Sequence, residues 1–198
     1  MIDLLKNYSY LRFNNVKTNN IKQGFKNRGM QLESDINLSN EYYKIKDIAY
    51  IYKKPTPIKL VKVDYKKGLI NEAYFMTPST TDYNGIYKGK YIDFEAKETQ
   101  SKTSFALKNI HAHQIKHLIS ILNHGGISFL IIRFCKLNKT FLFETSKLEL
   151  FMKNNDRKSI PISYIEENGY IIKEGYYPRL DYILIVDKLL GDAYEKEN

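Results

Sequence analysis

Three residues that lie near one another in the chain, Asp82, Glu95 and Lys97, have the side chains needed to cleave a phosphodiester with a metal ion. Asp82 precedes the turn signal Asn84-Gly85, and residues 91–97 then alternate between polar and apolar types. Alternation with period two places Glu95 and Lys97 on one face of a strand. Carboxylates and neutral oxygens bind Mg²⁺, and a nearby lysine stabilises charge that develops on phosphorus. The spacing therefore predicts a metal-dependent phosphoryl-transfer site.

The predicted strand also carries a third acid, Asp93, on the same face as Glu95. Alternation alone does not decide between a role for Asp93 as a ligand that rivals Glu95 and a role in support of the ligands. Glu98 falls on the opposite face and is not expected in the site. The Glu95-x-Lys97 pattern by itself also suits an exposed edge strand with a ladder of salt bridges, and that alternative stays open.

Longer strings of sequence resemble the RecU family of Holliday junction resolvases, within the PD-(D/E)xK nuclease superfamily. The resemblance runs in the family's order over roughly residues 24–187. It implies an α/β fold of restriction-endonuclease type, a mixed sheet flanked by helices, with a basic stalk-like protrusion at residues 53–75. The strings that carry the resemblance lie at residues 53–58, 77–85, 90–99, 102–105, 109–114, 157–161 and 178–182.

The resemblance also implies roles for individual residues. Asp82 and Glu95 are the expected metal ligands, Thr80 and Gln114 add neutral oxygens, and Lys97 lies over the scissile phosphate. The expected reaction is in-line attack by water that leaves a 5′-phosphate and a 3′-hydroxyl. Mg²⁺ is the expected cofactor, with Mn²⁺ as a substitute. For Gln114, a core amide bonded to backbone is the alternative.

Helical patterns add further candidates and exclude one pair. Glu33, on a helix predicted from Gly29 to about Asn40, is a second-tier metal-site candidate together with Asp93, although a solvent-facing glutamate is the alternative for Glu33. His111 and His113 fall on a helix predicted over residues 107–123. Two residues apart, they should point about 200° from each other, which predicts phosphate contacts or surface positions rather than a shared ion.

The charge of the chain predicts an anionic partner. The net charge is +9, from 31 basic and 22 acidic residues, and only five of the basic residues are arginine. Lysine attracts phosphate without reading bases, so a nucleic acid recognised by shape is expected; a basic protein without such a role is the alternative. Phe75 suits either core packing or stacking on unpaired bases. The predicted DNA-binding residues are Arg28, Lys53, Lys54, Lys62, Tyr65, Lys66, Lys67, Arg157 and Lys158.

Composition also bounds the organisation of the chain. We expect a flexible basic arm at residues 1–28, one nuclease domain at 29–190 and a tail at 191–198. The single cysteine, Cys135, excludes an intrachain disulfide, and the absence of a long apolar run or a signal peptide favours the cytoplasm. Strands are predicted at residues 49–53, 58–64, 73–75, 127–134, 140–143 and 182–186.

The expected function is a Mg²⁺-dependent, structure-selective endonuclease that resolves Holliday junctions by paired symmetric nicks during recombination and repair. Four-way junction DNA is the expected partner, and cutting across its two-fold axis requires a homodimer. The resemblance also suggests contact with the strand-exchange recombinase. Two alternatives remain: a nuclease of the same fold that acts on other DNA, and a junction-binding protein without catalysis.

Overall fold

A computed structural model describes residues 30–76 and 80–196. The predicted arm at residues 1–28, with Arg28, lies outside this range. Within it, no helix is both long enough and apolar enough to cross a membrane. The helices are α1 (Met30–Ile45), α2 (Ala112–Asn123), α3 (Thr145–Asn154), α4 (Ile162–Asn168) and α5 (Ile183–Lys196). The strands are β1 (Tyr50–Lys53), β2 (Ile58–Asp64), β3 (Leu69–Phe75), β4 (Tyr83–Tyr87), β5 (Lys90–Thr99), β6 (Ser104–Ala106), β7 (Ile127–Phe134), β8 (Lys139–Glu144), β9 (Ser159–Pro161) and β10 (Tyr170–Ile171).

Six of the strands form a central mixed sheet in the order β1-β4-β5-β7-β8-β10. β5 and β7 are parallel, and the other neighbouring pairs are antiparallel. The chain passes through α2 between β5 and β7, as a parallel pair requires. Helices cover both faces of the sheet, so the predicted α/β class, with a mixed sheet flanked by helices, is confirmed.

One face of the sheet packs against α1 and α5. Leu32, Ile36 and Tyr43 of α1 recur at helical spacing and are buried, as predicted. Phe94 of β5 stacks between Tyr83 and Phe129, with ring centroids 4.9 and 4.8 Å apart. The apolar side of the alternating run in β5 therefore forms part of the core, and the side with Glu95 and Lys97 faces the other way.

The other face packs against α2, α3 and α4. Leu118, Leu130, Phe143, Leu148 and Ile165 are fully buried there and form the second core cluster. The strand β5 thus lies between two apolar layers, and any polar residue on it must find partners within the protein or bind a ligand.

Two predicted elements are corrected by the structure. The predicted last strand at residues 182–186 is wrong, because the chain is helical from Ile183 to Lys196. Tyr182, Val186 and Leu190 are buried at intervals of four residues, a helical period that a five-residue window cannot reveal. The helix predicted over residues 107–123 begins only at Ala112, after a short 3₁₀ turn at residues 107–109. The tail predicted to start at residue 191 is helical as far as Lys196.

The hairpin of β2 and β3 forms a separate two-stranded sheet. It is reached through Pro55 and Pro57, which prevent β1 from continuing into β2. Gly68, with φ of +63°, provides the left-handed backbone of the turn at its tip. This hairpin occupies most of the segment predicted as a stalk, and the stalk is used below as the name for residues 58–75.

A buried ionic network attaches α1 to the sheet. Arg133 of β7 donates to Asp35 of α1 at 2.7 Å, to the Thr140 hydroxyl at 3.0 Å and to Glu174 at 3.4 Å. Arg179 donates to the second Asp35 oxygen at 3.2 Å. Arg133 and Asp35 are both buried, so each charge depends on the others for its solvation.

Candidate metal centre

The two predicted carboxylate ligands lie side by side at the beginning of β4. Tyr83, the first residue of β4, pairs with Phe94, which places the preceding Asp82 beside Glu95. The backbone N–H of Asp82 donates to Glu95 Oε2 at 3.1 Å, and the N–H of Ala96 donates to Asp82 Oδ2 at 3.2 Å. These two bonds fix both acids on the same side of the sheet and hold them close to each other.

Glu95 is fully buried, with a second acid, Asp82, beside it and the Lys97 ammonium as its cationic partner. Burial, and next the negative charge of Asp82, raises the pKa of the Glu95 carboxyl to about 7, although the Lys97 ammonium acts in the opposite direction. Apart from the ion pair with Lys97, Glu95 Oε1 has no hydrogen-bond partner among the described residues. Two neighbouring acids at a buried position form a site where a divalent cation would be stabilising.

The raised pKa of Glu95 predicts a specific dependence of stability on pH. Without metal, folded Glu95 keeps its proton up to about pH 7, whereas the unfolded side chain releases it near its ordinary value of 4.5. The proton on folded Glu95 therefore contributes fully to the free energy of unfolding below pH 4.5, and this contribution is lost as the pH rises through 7. We expect the wild type, in EDTA, to lose stability relative to Glu95→Gln between pH 5 and pH 8. Urea denaturation of both proteins checks this, and a constant difference across that range would contradict it.

Lys97 is placed as the sequence predicts, on the same face of β5 as Glu95. Its ammonium forms an ion pair with Glu95 Oε1, and its side chain is about one quarter exposed (25%). The lysine can therefore contact both the buried carboxylate and a group that approaches from solvent. This is the position in which an ammonium stabilises negative charge on a phosphate.

Neutral oxygens are also present near the two acids. The Thr80 hydroxyl accepts a bond from Lys54 Nζ at 3.2 Å. Gln114 is buried near the beginning of α2, and its Oε1 accepts from the backbone N–H of His111 at 3.0 Å. The helix-capping bond fits the alternative of an amide bonded to backbone. A carbonyl oxygen has two lone pairs, so the bond is also compatible with a metal role.

The direction of α2 places Gln114 near the level of Glu95. The helix ends close to Tyr91, because a Cβ added at Gly126 would lie 3.3 Å from the Tyr91 carbonyl oxygen. His117 Nε2 lies 3.1 Å from Asp93 Oδ2. Gln114 is three residues earlier in the helix, about 4.5 Å along the helix axis. Because α2 runs opposite to β5, the step from His117 back to Gln114 leads in the direction from Asp93 towards Glu95.

Asp93 has a different environment from Glu95, although both are fully buried. Its carboxylate accepts bonds from Lys54 Nζ at 2.7 Å, Tyr91 Oη at 3.0 Å and the Thr81 hydroxyl. His117 Nε2 is the fourth contact. Sequence reasoning missed His117; its position three residues after Gln114, on the same helical face, was the available signal. Asp93 is thus surrounded by protein donors, whereas Glu95 is not.

Glu33 lies near the centre on the α1 side of the sheet. It forms an ion pair with Lys53, and both side chains are partly exposed. Burial, and next the negative charges of Glu33 and Asp82, raises the pKa of the Tyr83 hydroxyl. The Tyr83 hydroxyl donates to the backbone carbonyl oxygen of Glu33 at 3.4 Å, and a second-tier metal role for the Glu33 carboxylate stays a prediction.

The geometry of the two histidines differs from the prediction. His111 is the residue that precedes α2, not a member of it, so the helical angle of 200° does not apply. The rings of His111 and His113 stack with centroids 5.5 Å apart and an interplanar angle of 6°. Both are exposed, as a surface position requires.

The predicted DNA-binding residues divide into exposed and buried groups. Lys54 differs from the others, because its side chain is only 14% exposed and its ammonium points inward. For Phe75, the alternative of core packing is wrong, since this residue is 83% exposed on the stalk. The exposed members of the predicted set that the structure describes are Lys53, Lys62, Tyr65, Lys66, Lys67, Arg157 and Lys158.

The donor set fits a hard cation better than a soft one. Between residues 30–76 and 80–196, no group of three or more His, Cys, Asp or Glu side chains is placed to hold a metal. Two carboxylates, from Asp82 and Glu95, with neutral oxygens and water, are the ligands that Mg²⁺ prefers. The buried Glu95, with the partly buried Asp82 beside it, and the sparsely partnered Glu95 oxygen support the same interpretation.

Comparison with known proteins shows the family of the chain. The family model described as Recombination protein U matches residues 27–188. The chain is 54% identical over 171 residues to the Holliday junction resolvase RecU of Geobacillus kaustophilus, covering 83% of this chain and 86% of the relative. It is 54% identical over 182 residues to the protein of the same name from Staphylococcus aureus, covering 89% and 86%.

A solved structure, the Holliday junction resolvase Hjc of Archaeoglobus fulgidus, covers 72% of this chain and 95% of its own, with 14% identity and a TM-score of 0.44. A TM-score this low does not establish a shared fold.

Proposed function

Because this chain belongs to the RecU family, we propose that it is a metal-dependent endonuclease that resolves Holliday junctions. The observation that carries the proposal is the placement of Asp82 beside the buried Glu95, with the Lys97 ammonium against the same carboxylate. Two acids and a partly exposed lysine, brought together on the internal strand β5 and at the beginning of β4, match the requirements of phosphodiester hydrolysis. The relatives' names supply the substrate class.

We propose that Asp82 and Glu95 hold the cation, with Thr80 and Gln114 as sources of neutral oxygen. Mg²⁺ suits these donors, and Mn²⁺ is a substitute that prefers similar ligands. When bound, such an ion polarises the phosphate and lowers the pKa of water. The buried position of Glu95 keeps bulk solvent away, which strengthens the attraction between the carboxylates and the cation.

Lys97 acts on the phosphate in this proposal. Its partly exposed ammonium can neutralise the charge that develops on the phosphate oxygens during in-line attack by water. Protonation of the leaving 3′-oxygen then gives a 3′-hydroxyl and a 5′-phosphate. The ion pair with Glu95 restricts the lysine to one position before the substrate binds, so less conformational entropy is lost in the complex.

The stalk is the proposed contact with the centre of the junction. Lys62, Lys66 and Lys67 are exposed, and among the described residues the ion pairs of Lys62 and Lys67 are loose, at 3.6 Å to Glu72 and 3.9 Å to Asp64. Tyr65 is 89% exposed at the tip and Phe75 is exposed at the base. Exposed aromatic rings beside lysines favour unpaired bases next to phosphates.

Substitution of the three stalk lysines tests this contact. We expect Lys62→Gln, Lys66→Gln and Lys67→Gln together to weaken junction binding and to reduce the slope of log Kd against log salt by about 2–3, since each phosphate contact contributes about 0.9. Fluorescence anisotropy between 50 and 200 mM salt measures the slope. Lys139→Gln, which removes a lysine from the surface pair with Glu166, is the single-charge control. An unchanged slope would remove the stalk from the DNA surface.

A homodimer follows from the proposed substrate. A four-way junction has two-fold symmetry, and paired nicks in opposing strands need two active sites related by the same axis. Since each chain carries one such centre, two chains are required. Action in recombination and repair, a cytoplasmic location and contact with the strand-exchange recombinase stay predictions.

The decisive experiment compares a mobile four-way junction with a linear duplex of matching sequence, each with Mg²⁺ and with EDTA. We expect symmetric nicks in opposing strands of the junction only, absent in EDTA, with 5′-phosphate ends that a ligase can seal. Equal cutting of the duplex would leave a general nuclease, and binding without cutting would leave a junction-binding protein.

A further inference from the structure

Lys54 lies in the segment that connects the central sheet to the stalk, residues 54–57, which is called the neck below. β1 ends at Lys53 and β2 begins at Ile58, so Lys54 is the first residue of the connection. Its backbone N–H donates to the carbonyl oxygen of Asp82 at 2.8 Å. The backbone of the neck is therefore bonded to the residue that supplies a proposed metal ligand.

The side chain of Lys54 reaches the same loop a second time. Its Nζ donates to the Thr81 hydroxyl at 2.6 Å, to Asp93 Oδ2 at 2.7 Å and to the Thr80 hydroxyl at 3.2 Å. An ammonium has three hydrogens, and these three bonds use all of them. Lys54 therefore has no hydrogen left for a DNA phosphate, unlike the exposed lysines of the stalk.

Asp93 is the fixed point of this arrangement. It is fully buried, and its donors come from four parts of the fold: Lys54 of the neck, Thr81 of the loop, Tyr91 of β5 itself and His117 of α2. A carboxylate with this many donors is held in one orientation. A metal ligand at this position would have to lose several of these bonds.

We propose that Lys54 is a positioning residue for the metal centre. Anchored by Asp93, it holds residues 80–82 in the conformation that presents Asp82 beside Glu95, and it links that loop to the neck of the stalk. The proposal rests on the proposed function, because it concerns the same metal centre. It assigns Asp93 to the support of this loop rather than to direct contact with the ion.

The test uses the full-length protein and two measurements. We expect Lys54→Met to weaken Mn²⁺ binding to the DNA-free protein, measured by isothermal titration calorimetry, by about 10–100-fold, as for other residues that support ligands. On the junction, kcat at fixed Mg²⁺ should fall by a similar factor, whereas KM and the junction Kd in EDTA change less than about threefold. Lys139→Met is the control for loss of one lysine charge and should behave as the wild type.

A second variant separates positioning from folding. Lys54→Met alone leaves the buried Asp93 charge without its cation, so it can reduce stability. Lys54→Met with Asp93→Asn removes both charges and should fold, with the melting temperature closer to the wild type, yet metal binding should stay weak. Wild-type metal affinity in the folded double variant would overturn the proposal.

Other outcomes are equally clear. If Lys54→Met weakens junction binding and lowers its salt slope while metal affinity is unchanged, Lys54 is a DNA contact and the proposal is wrong. If the wild type itself neither binds Mn²⁺ nor cuts the junction, the proposed function fails. Normal cutting by both the wild type and Lys54→Met would overturn the positioning role alone.

Discussion

Asp82→Asn, Glu95→Gln and Lys97→Ala are each expected to reduce junction cleavage by at least about 10²–10³-fold while junction binding changes by only a few-fold. Residues that merely support metal ligands account for about 10–100-fold, so loss of a ligand itself should cost more. An amide oxygen in place of a carboxylate removes the negative charge that attracts the cation. Removal of Lys97 takes away an electrostatic contact with the transition state, for which losses of about 10²–10³-fold are typical.

Single-turnover cleavage of a labelled four-way junction measures the rate, and gel shift in EDTA measures binding. Glu166→Gln is the matched control for Glu95→Gln, because Glu166, on α4, forms an exposed ion pair with Lys139 of β8. At pH 8, above the pKa of about 7 that Glu95 has without metal, both changes raise the net charge by close to one, so a general effect of charge on DNA binding appears in both. Retained cleavage in the Asp82 or Glu95 variant would show that the metal centre lies elsewhere.

Arg133→Met is expected to lower the free energy of unfolding by about 3–5 kcal/mol, the loss typical when one partner of a buried ion pair is removed. Arg133 is only 8% exposed and holds Asp35, Thr140 and Glu174 together between α1 and the sheet. Without the guanidinium, Asp35 keeps Arg179, on the other oxygen, as its one charged partner within residues 30–76 and 80–196. Because total stabilities are about 5–15 kcal/mol, the loss would be a large fraction of the whole.

Urea denaturation at constant pH and salt measures this loss. Lys139→Met is the control, since it removes the cation of an exposed pair, and pairs of that kind contribute about 0–1 kcal/mol. A loss in Arg133→Met no larger than in the control would contradict the role of the network. If the single variant does not fold, Arg179→Met, which removes the half-exposed partner of Asp35, should show a smaller loss of the same kind.

Much of the candidate metal centre was predictable from β5, because alternation in a strand fixes which side chains share a face. Ile92 and Phe94 are buried in the core on one side, and Glu95 and Lys97 lie together on the other. The turn predicted at Asn84-Gly85 is wrong, because both residues lie inside β4 and the chain turns at Lys88 and Gly89 instead. The register of β4 against β5, which brings Asp82 beside Glu95, follows from that later turn. Resemblance to the RecU family, confirmed by the comparisons, supplied the expected substrate.

Less could be predicted where a helical pattern of buried residues becomes visible only over more residues than the predicted segment contains. The run at residues 182–186 has the β-branched and aromatic composition of a strand, yet it is helical from Ile183, and the buried Tyr182, Val186 and Leu190 are spaced four positions apart. The helix predicted over residues 107–123 begins at Ala112, later than the sequence pattern indicated. His111 therefore precedes α2, and this removed the angular argument that separated it from His113.

The amino-acid sequence by itself determined the chemistry of this protein: the two acids and the lysine, their common face on β5, and the excess of lysine that favours phosphate. Local periodicity is sufficient for this, because it acts between residues a few positions apart. Only the tertiary structure decided which of the two buried carboxylates is surrounded by protein donors and which is not. Lys54 and His117 come from 39 and 24 residues away to engage Asp93, whereas Glu95 keeps an oxygen with few partners. Burial and pairing depend on contacts between distant segments, and no local pattern in the chain records them.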